Sequence, residues 1–105
     1  MKVLVTGATG FVGQHVTRRL ASSADVAIFA RHEDKARAMF GERFEVRRGD
    51  LTDASSIGAA LEGIDVVYHI AARRDHWGMP YQDYHRANVV GTRSLLEAAR
   101  SHGTP

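Results

Sequence analysis

The sequence predicts an α/β fold with a parallel sheet, and three observations carry that expectation. The short runs Val3-Leu4-Val5, Val26-Ala27-Ile28-Phe29-Ala30 and Val66-Val67-Tyr68-His69-Ile70 are apolar and rich in β-branched residues, as strands buried on both faces should be. Segments of helical composition alternate with them, four helices against four strands once the weaker run Phe44-Glu45-Val46-Arg47 is counted. The first run passes directly into three glycines, Gly7, Gly10 and Gly13, and then into a helical pattern. Strands joined through helices pair in parallel with right-handed crossovers, so the expectation is a doubly wound, Rossmann-like sheet of order 3-2-1-4.

The glycine stretch is the most informative part of the chain. Gly7 permits a tight turn after the strand, Gly10 lets the backbone approach a pyrophosphate without a Cβ between them, and Gly13 lets the new helix lie close to the sheet. Amides at the start of that helix have no internal partners and stand at the positive end of its dipole, which favours an anion. The spacing is Gly-x-x-Gly-x-x-Gly, not the Gly-x-Gly-x-x-Gly of the standard dinucleotide fingerprint. Its context, between an apolar strand and the run Val12, Val16 and Leu20 taken as the helix's apolar face, is the one the motif requires.

The remaining elements follow in order. The first helix should run from about Gly10 to Ala21, and Asp25 turns into the second strand, ending at Ala30. An acidic residue about 20 positions past the glycines would hold the adenosine ribose, whereas an arginine accommodates a 2′-phosphate. Arg31 occupies this place and favours NADP(H); NAD(H) remains open, since Glu33 or Asp34 could reach a ribose. A helix over Glu33 to Phe40 should stop at Gly41, with Phe44 to Arg47 following as an edge strand. Asp53 reads as the N-cap of a helix from Ala54 to Leu61. Asp65 to Ala72 reads as the fourth strand, and Tyr81 to His102 as a long helix whose face is Tyr84, Ala87, Gly91, Leu95, Ala98 and His102.

The string Thr6-Gly7-Ala8-Thr9-Gly10-Phe11-Val12-Gly13 resembles the cofactor loop of the extended short-chain dehydrogenase/reductase family. That family includes nucleotide-sugar epimerases, dehydratases and 3β-hydroxysteroid-dehydrogenase-like reductases. Later segments extend the likeness from Met1 to about His102: Gly49-Asp50-Leu51, His69-Ile70-Ala71-Ala72, Trp77-Gly78 ahead of Tyr81 and Tyr84, and Asn88-Val89-Val90-Gly91-Thr92. The resemblance implies that Gly7, Thr9, Gly10, Phe11, Val12 and Gly13 form the cofactor loop. It implies that Asp50 accepts from the adenine amino group, with Leu51 in backbone and apolar contact, although an aspartate here also orders its own turn. It places Ile70, Ala71 and Ala72 along the ribose and pyrophosphate, makes Arg74 a cationic cofactor contact, and turns Asn88 to the cofactor side of the sheet. Trp77 either walls an apolar substrate pocket or pins its loop to the surface; its setting is closer to the steroid and β-keto-acid reductases than to the sugar epimerases.

Composition narrows the classes. At 105 residues the chain is at most one domain, residues 1–105, with a modest core. Lysine plus arginine total 14 against 12 acidic residues, and the pairs Arg18-Arg19, Arg47-Arg48 and Arg73-Arg74 are scattered, so no nucleic-acid stripe forms. Cysteine is absent, which excludes disulfides and thiol chemistry. No signal-peptide pattern or membrane-length apolar run occurs, and the expectation is a soluble, cytoplasmic protein. His69, Asp75 and His76 lack the spacing of a metal-ligand set.

The family places a Ser or Thr after a fifth strand and a Tyr-x-x-x-Lys pair on the next helix, whereas here Tyr68, Tyr81 and Tyr84 are followed four residues on by Ala72, His85 and Asn88. No catalytic residue is therefore assigned, and the expectation is the cofactor-holding part of a longer enzyme, inactive by itself. Its parent would interconvert a ketone and a secondary alcohol on a steroid-like or β-keto-acyl small molecule. The alternatives are a nucleotide-sugar epimerase or dehydratase, and a dinucleotide-sensing module without chemistry. An uncovered fourth strand would favour self-association.

Overall fold

In the computed structural model, which describes residues 1–70 and 89–103, the parallel sheet forms in the expected order. Its strands are β1 (Lys2–Thr6), β2 (Asp25–Ala30), β3 (Glu45–Arg48) and β4 (Val66–His69), arranged β3-β2-β1-β4. The helices are α1 (Phe11–Leu20), α2 (Glu33–Phe40), α3 (Ala54–Ala60) and α4 (Gly91–His102). Parallel register pairs Thr6 with Phe29 on one side of β1 and with His69 on the other.

Alternation along the strands divides the core between the two faces of the sheet. Val3, Val5, Val26 and Ile28 pack with Ala36, Phe40 and Phe44, and Leu20 lies against them, so α1 and α2 cover this face. Leu4, Ala27 and Phe29 pack on the other face with Ile57, Leu61, Leu95 and Ala99, contributed by α3, its C-terminal turn and α4. Burying a side chain such as Ile57 contributes about 1.5–3 kcal/mol. These layers fix the sheet, and the sheet fixes its carboxyl edge. The chain runs outward from β1 through β2 to β3, then returns to pair β4 on the opposite side of β1. That reversal makes the carboxyl ends of β1 and β4 the topological switch point, the position at which open α/β sheets take their ligands.

The structure corrects several details. In α1 the buried residues are Gly13 and Thr17, whereas Val12 is 51% exposed and Val16 and Leu20 are only partly buried. The helix approaches through its smallest residues, and the apolar run lies to one side. The Thr17 hydroxyl donates to the Gly13 carbonyl at 2.7 Å, so it is buried without an unpaired group.

The third strand begins one residue later than expected, at Glu45. Phe44 instead folds into the core, edge-to-face with Phe40 at 5.4 Å, after a 3-10 turn over Gly41–Arg43 that the sequence reading did not include. The fourth strand is shorter than Asp65 to Ala72. Among the described residues it pairs with β1 alone. In α4 the buried stripe is Gly91, Leu95 and Ala99; Ala98 is at its margin and His102 is exposed, because the contact follows an i, i+4 row. The expected portion of this helix before residue 89 lies outside the described residues.

Candidate functional site

The glycine loop owes its shape to two backbone requirements. Gly7 adopts φ 74°, a left-handed conformation that glycine tolerates far better than other residues. A Cβ on Gly13 would stand 1.8 Å from the Gly7 carbonyl oxygen, so the first turn of α1 sits directly on the loop. Gly10, with φ −79°, caps the helix and donates its N–H to the Gly7 carbonyl at 3.1 Å. A Cβ there would meet only that carbonyl oxygen, at 3.4 Å, and would otherwise project into open space.

The α1 ladder begins with the Gln14 N–H donating to the Gly10 carbonyl at 3.0 Å. The amides of Phe11, Val12 and Gly13 therefore precede the first intrahelical bond. Among the described residues no side chain caps them, and no acidic residue occupies the first turn. Thr9 is partly exposed, and Phe11 and Val12 are 75% and 51% exposed beside the loop. Phe11 stacks edge-to-face with His15 at 5.2 Å. An uncapped, uncharged helix start beside a glycine-lined opening suits an anion such as a diphosphate.

Of the other predicted positions, Arg31, Asp50, Leu51 and Ile70 lie at the same carboxyl edge. Arg31 directly follows β2, is exposed, and makes no ion pair or hydrogen bond among the described residues. Asp50 and Leu51 follow β3 by way of the buried Gly49. One Asp50 carboxylate oxygen accepts from the Thr52 amide at 2.9 Å and from its hydroxyl at 2.8 Å, so this aspartate does order its own turn. The Asp50 N–H donates to the Ser56 hydroxyl at 3.0 Å, and Leu51 packs against the core beneath α3. Ile70 directly follows β4, and its N–H donates to the Thr6 carbonyl at 3.2 Å. Ala71, Ala72, Arg74, Trp77 and Asn88 lie outside the described residues.

The structure joins three polar residues that the sequence does not link, His69, Thr6 and Thr92. His69 is half-buried at the end of β4, with Nδ1 2.7 Å from the Thr6 hydroxyl and Nε2 2.9 Å from the Thr92 hydroxyl. Burial holds its pKa below the ordinary value of 6.5, keeping the ring neutral. With both ring nitrogens engaged by hydroxyls, His69 is occupied structurally. A lone polar residue in an apolar strand, in register with Thr6, was the available signal.

The glycine loop and its strand order now stand beside the comparisons with known proteins. The model of the NAD dependent epimerase/dehydratase family matches residues 3–105. The chain belongs to that family. It is 40% identical over 105 residues to the 2-alkyl-3-oxoalkanoate reductase of Stenotrophomonas maltophilia (strain K279a), covering 98% of this chain and 31% of that protein. It is 36% identical over 110 residues to a 3 beta-hydroxysteroid dehydrogenase/Delta 5→4-isomerase of Mycobacterium tuberculosis, covering 97% of this chain and 29% of that protein. The solved UDP-glucose 4-epimerase of Thermus thermophilus, a complex with NAD, superposes with a TM-score of 0.84 at 30% identity, covering 99% of this chain and 35% of the other. The chain thus spans about a third of the length of these relatives. Among the described residues no helix is long and apolar enough to cross a membrane.

Proposed function

We propose that this chain is the dinucleotide-holding part of a short-chain reductase, with NADP(H) preferred over NAD(H). The observation that carries the reading is the start of α1: three amides ahead of the first helical bond, no capping side chain among the described residues, and a glycine where any Cβ would fill the approach. In this reading Gly7, Thr9, Gly10, Phe11, Val12 and Gly13 form the cradle, and their amides hold the diphosphate. Arg31 would take a 2′-phosphate through charge-assisted hydrogen bonds, and its freedom from other partners among the described residues leaves it available. Asp50 and Leu51 would flank the adenine, while Ile70, Ala71, Ala72, Arg74 and Asn88 would line the ribose and nicotinamide side. The dinucleotide, when bound, supplies hydride transfer; the chain's own residues bind and orient it.

For the whole protein we propose interconversion of a ketone and a secondary alcohol on an apolar, steroid-like or β-keto-acyl substrate. The names of the Stenotrophomonas and Mycobacterium relatives support this substrate class. A sugar-nucleotide epimerase or dehydratase is the second reading, favoured by the likeness to the Thermus epimerase. The test is a titration of NADPH and NADH against the wild-type chain and Arg31→Ala. Saturable binding of both, with a preference for NADPH that the substitution removes, supports the proposal. An unchanged preference overturns the assignment of Arg31, and a folded chain that binds neither dinucleotide overturns the reading itself.

A further inference from the structure

Three elements meet through one imidazole at the carboxyl ends of β1 and β4. Thr6, fully buried, is the last residue of β1 and the residue before Gly7, whose left-handed turn launches the glycine loop. Its hydroxyl accepts from the Ile70 N–H at 3.1 Å and lies 2.7 Å from His69 Nδ1. The opposite ring nitrogen lies 2.9 Å from the hydroxyl of Thr92, in the first turn of α4 beside the buried Gly91. A neutral imidazole offers one N–H donor and one acceptor, so one threonine hydroxyl accepts from the ring and the other donates to it, in the order the tautomer sets. The ring is held neutral by burial, and both contacts have hydrogen-bond lengths.

We infer that His69 is a positioning residue for the dinucleotide site, tying the first turn of α4 to the base of the glycine loop through Thr6. The inference rests on the reading of that loop as a dinucleotide cradle. Neither hydroxyl lies in the cradle, so the effect on ligand is exerted through backbone placement. The Ile70 N–H, shared between the Thr6 carbonyl and hydroxyl, reports on the link directly. A hydroxyl removed from α4 should therefore be felt at Ile70 and at the glycine loop, on two other segments.

Thr92→Val retains the β-branched shape and removes only the hydroxyl, whereas Thr92→Ser retains the hydroxyl. NADPH affinity by calorimetry and amide hydrogen exchange at Ile70 are measured for wild type and both variants, with circular dichroism checking that each is folded. The expected result is a Kd raised about threefold to tenfold in Thr92→Val, with faster exchange at Ile70, and both restored to within about twofold by Thr92→Ser. A folded Thr92→Val with wild-type affinity, or with weakened affinity but unchanged exchange at Ile70, overturns the inference while leaving the cradle intact. Failure of wild type to bind NADPH or NADH overturns the cradle reading and this inference with it. His69→Phe, which removes both contacts, should equal or exceed Thr92→Val. If it does not fold, the Thr92 pair decides the question.

Discussion

The β-carbon that Gly13 lacks would lie 1.8 Å from the carbonyl oxygen of Gly7, a backbone atom that cannot swing aside. Helix α1 is thereby pressed onto the loop that precedes it, and its leading amides are fixed relative to β1. Gly13→Ala forces those segments apart. The expected cost is at least the 1–3 kcal/mol typical of overpacking, with loss of dinucleotide binding, measured by denaturant unfolding and calorimetry.

Gly10 separates binding from stability. Its φ of −79° is open to any residue, and a Cβ there makes only a 3.4 Å contact with the Gly7 oxygen. Gly10→Ala should change stability by less than about 1 kcal/mol, yet weaken dinucleotide binding by placing a methyl group where the diphosphate approaches. A variant that is both stable and fully binding would remove Gly10 from the cradle.

Arg31 tests the choice between the two cofactors. Charge-assisted hydrogen bonds contribute about 1.5–3 kcal/mol, so Arg31→Ala should weaken NADPH binding about tenfold or more and leave NADH nearly unaffected. Competition between the two dinucleotides on wild type and variant reads the ratio directly.

His69 gives the chain a pH dependence of defined sign. Its folded pKa lies below the unfolded value near 6.5, so between the two the unfolded state binds more protons and stability rises with pH. The neutral ring's contribution is present above about pH 6.5 and declines as the pH falls through that value toward the folded pKa. Unfolding free energies measured from about pH 8 to about pH 5 should show this slope, and His69→Gln should remove it. Glu45 acts further into acid. The Arg47 hydrogen bond holds its pKa below the ordinary 4.5, so its contribution fades only as the pH falls below that value.

Asp53 and Asp50 stand three residues apart and should respond differently. Asp53 accepts from the Ser55 amide at 3.1 Å as the N-cap of α3. Asp53→Ala should cost about 1 kcal/mol with dinucleotide affinity unchanged. Asp50→Asn keeps an oxygen for the Thr52 turn but loses the carboxylate charge, so it should lower affinity at nearly constant stability. Equal affinity in Asp50→Asn would remove the carboxylate charge from the adenine contact.

The sheet order and most element limits were legible because strands buried on both faces announce themselves as apolar runs, because Gly41 stops α2 at a positive φ, and because the Asp53 side chain caps the start of α3. The face of α1 was not legible. Its contact is made by Gly13 and Thr17, whose small size carries no hydrophobic signal, while the visible valines lie off that face. Phe44 read as a strand residue because β-propensity says nothing of a turn that redirects a ring into the core. The glycine loop was read from spacing and context together. The Thr6–His69–Thr92 link was not, since it joins residues from three segments that only the β1–β4 register and the docking of α4 bring together.

Whether amides after β1 hold a dinucleotide's diphosphate is read from amide chemical shifts during an NADPH titration. The largest shifts should fall at Gly10, Phe11, Val12 and Gly13, saturating together with those near Arg31. Saturable binding with those four amides unmoved, and the shifts gathered on another surface, would contradict it.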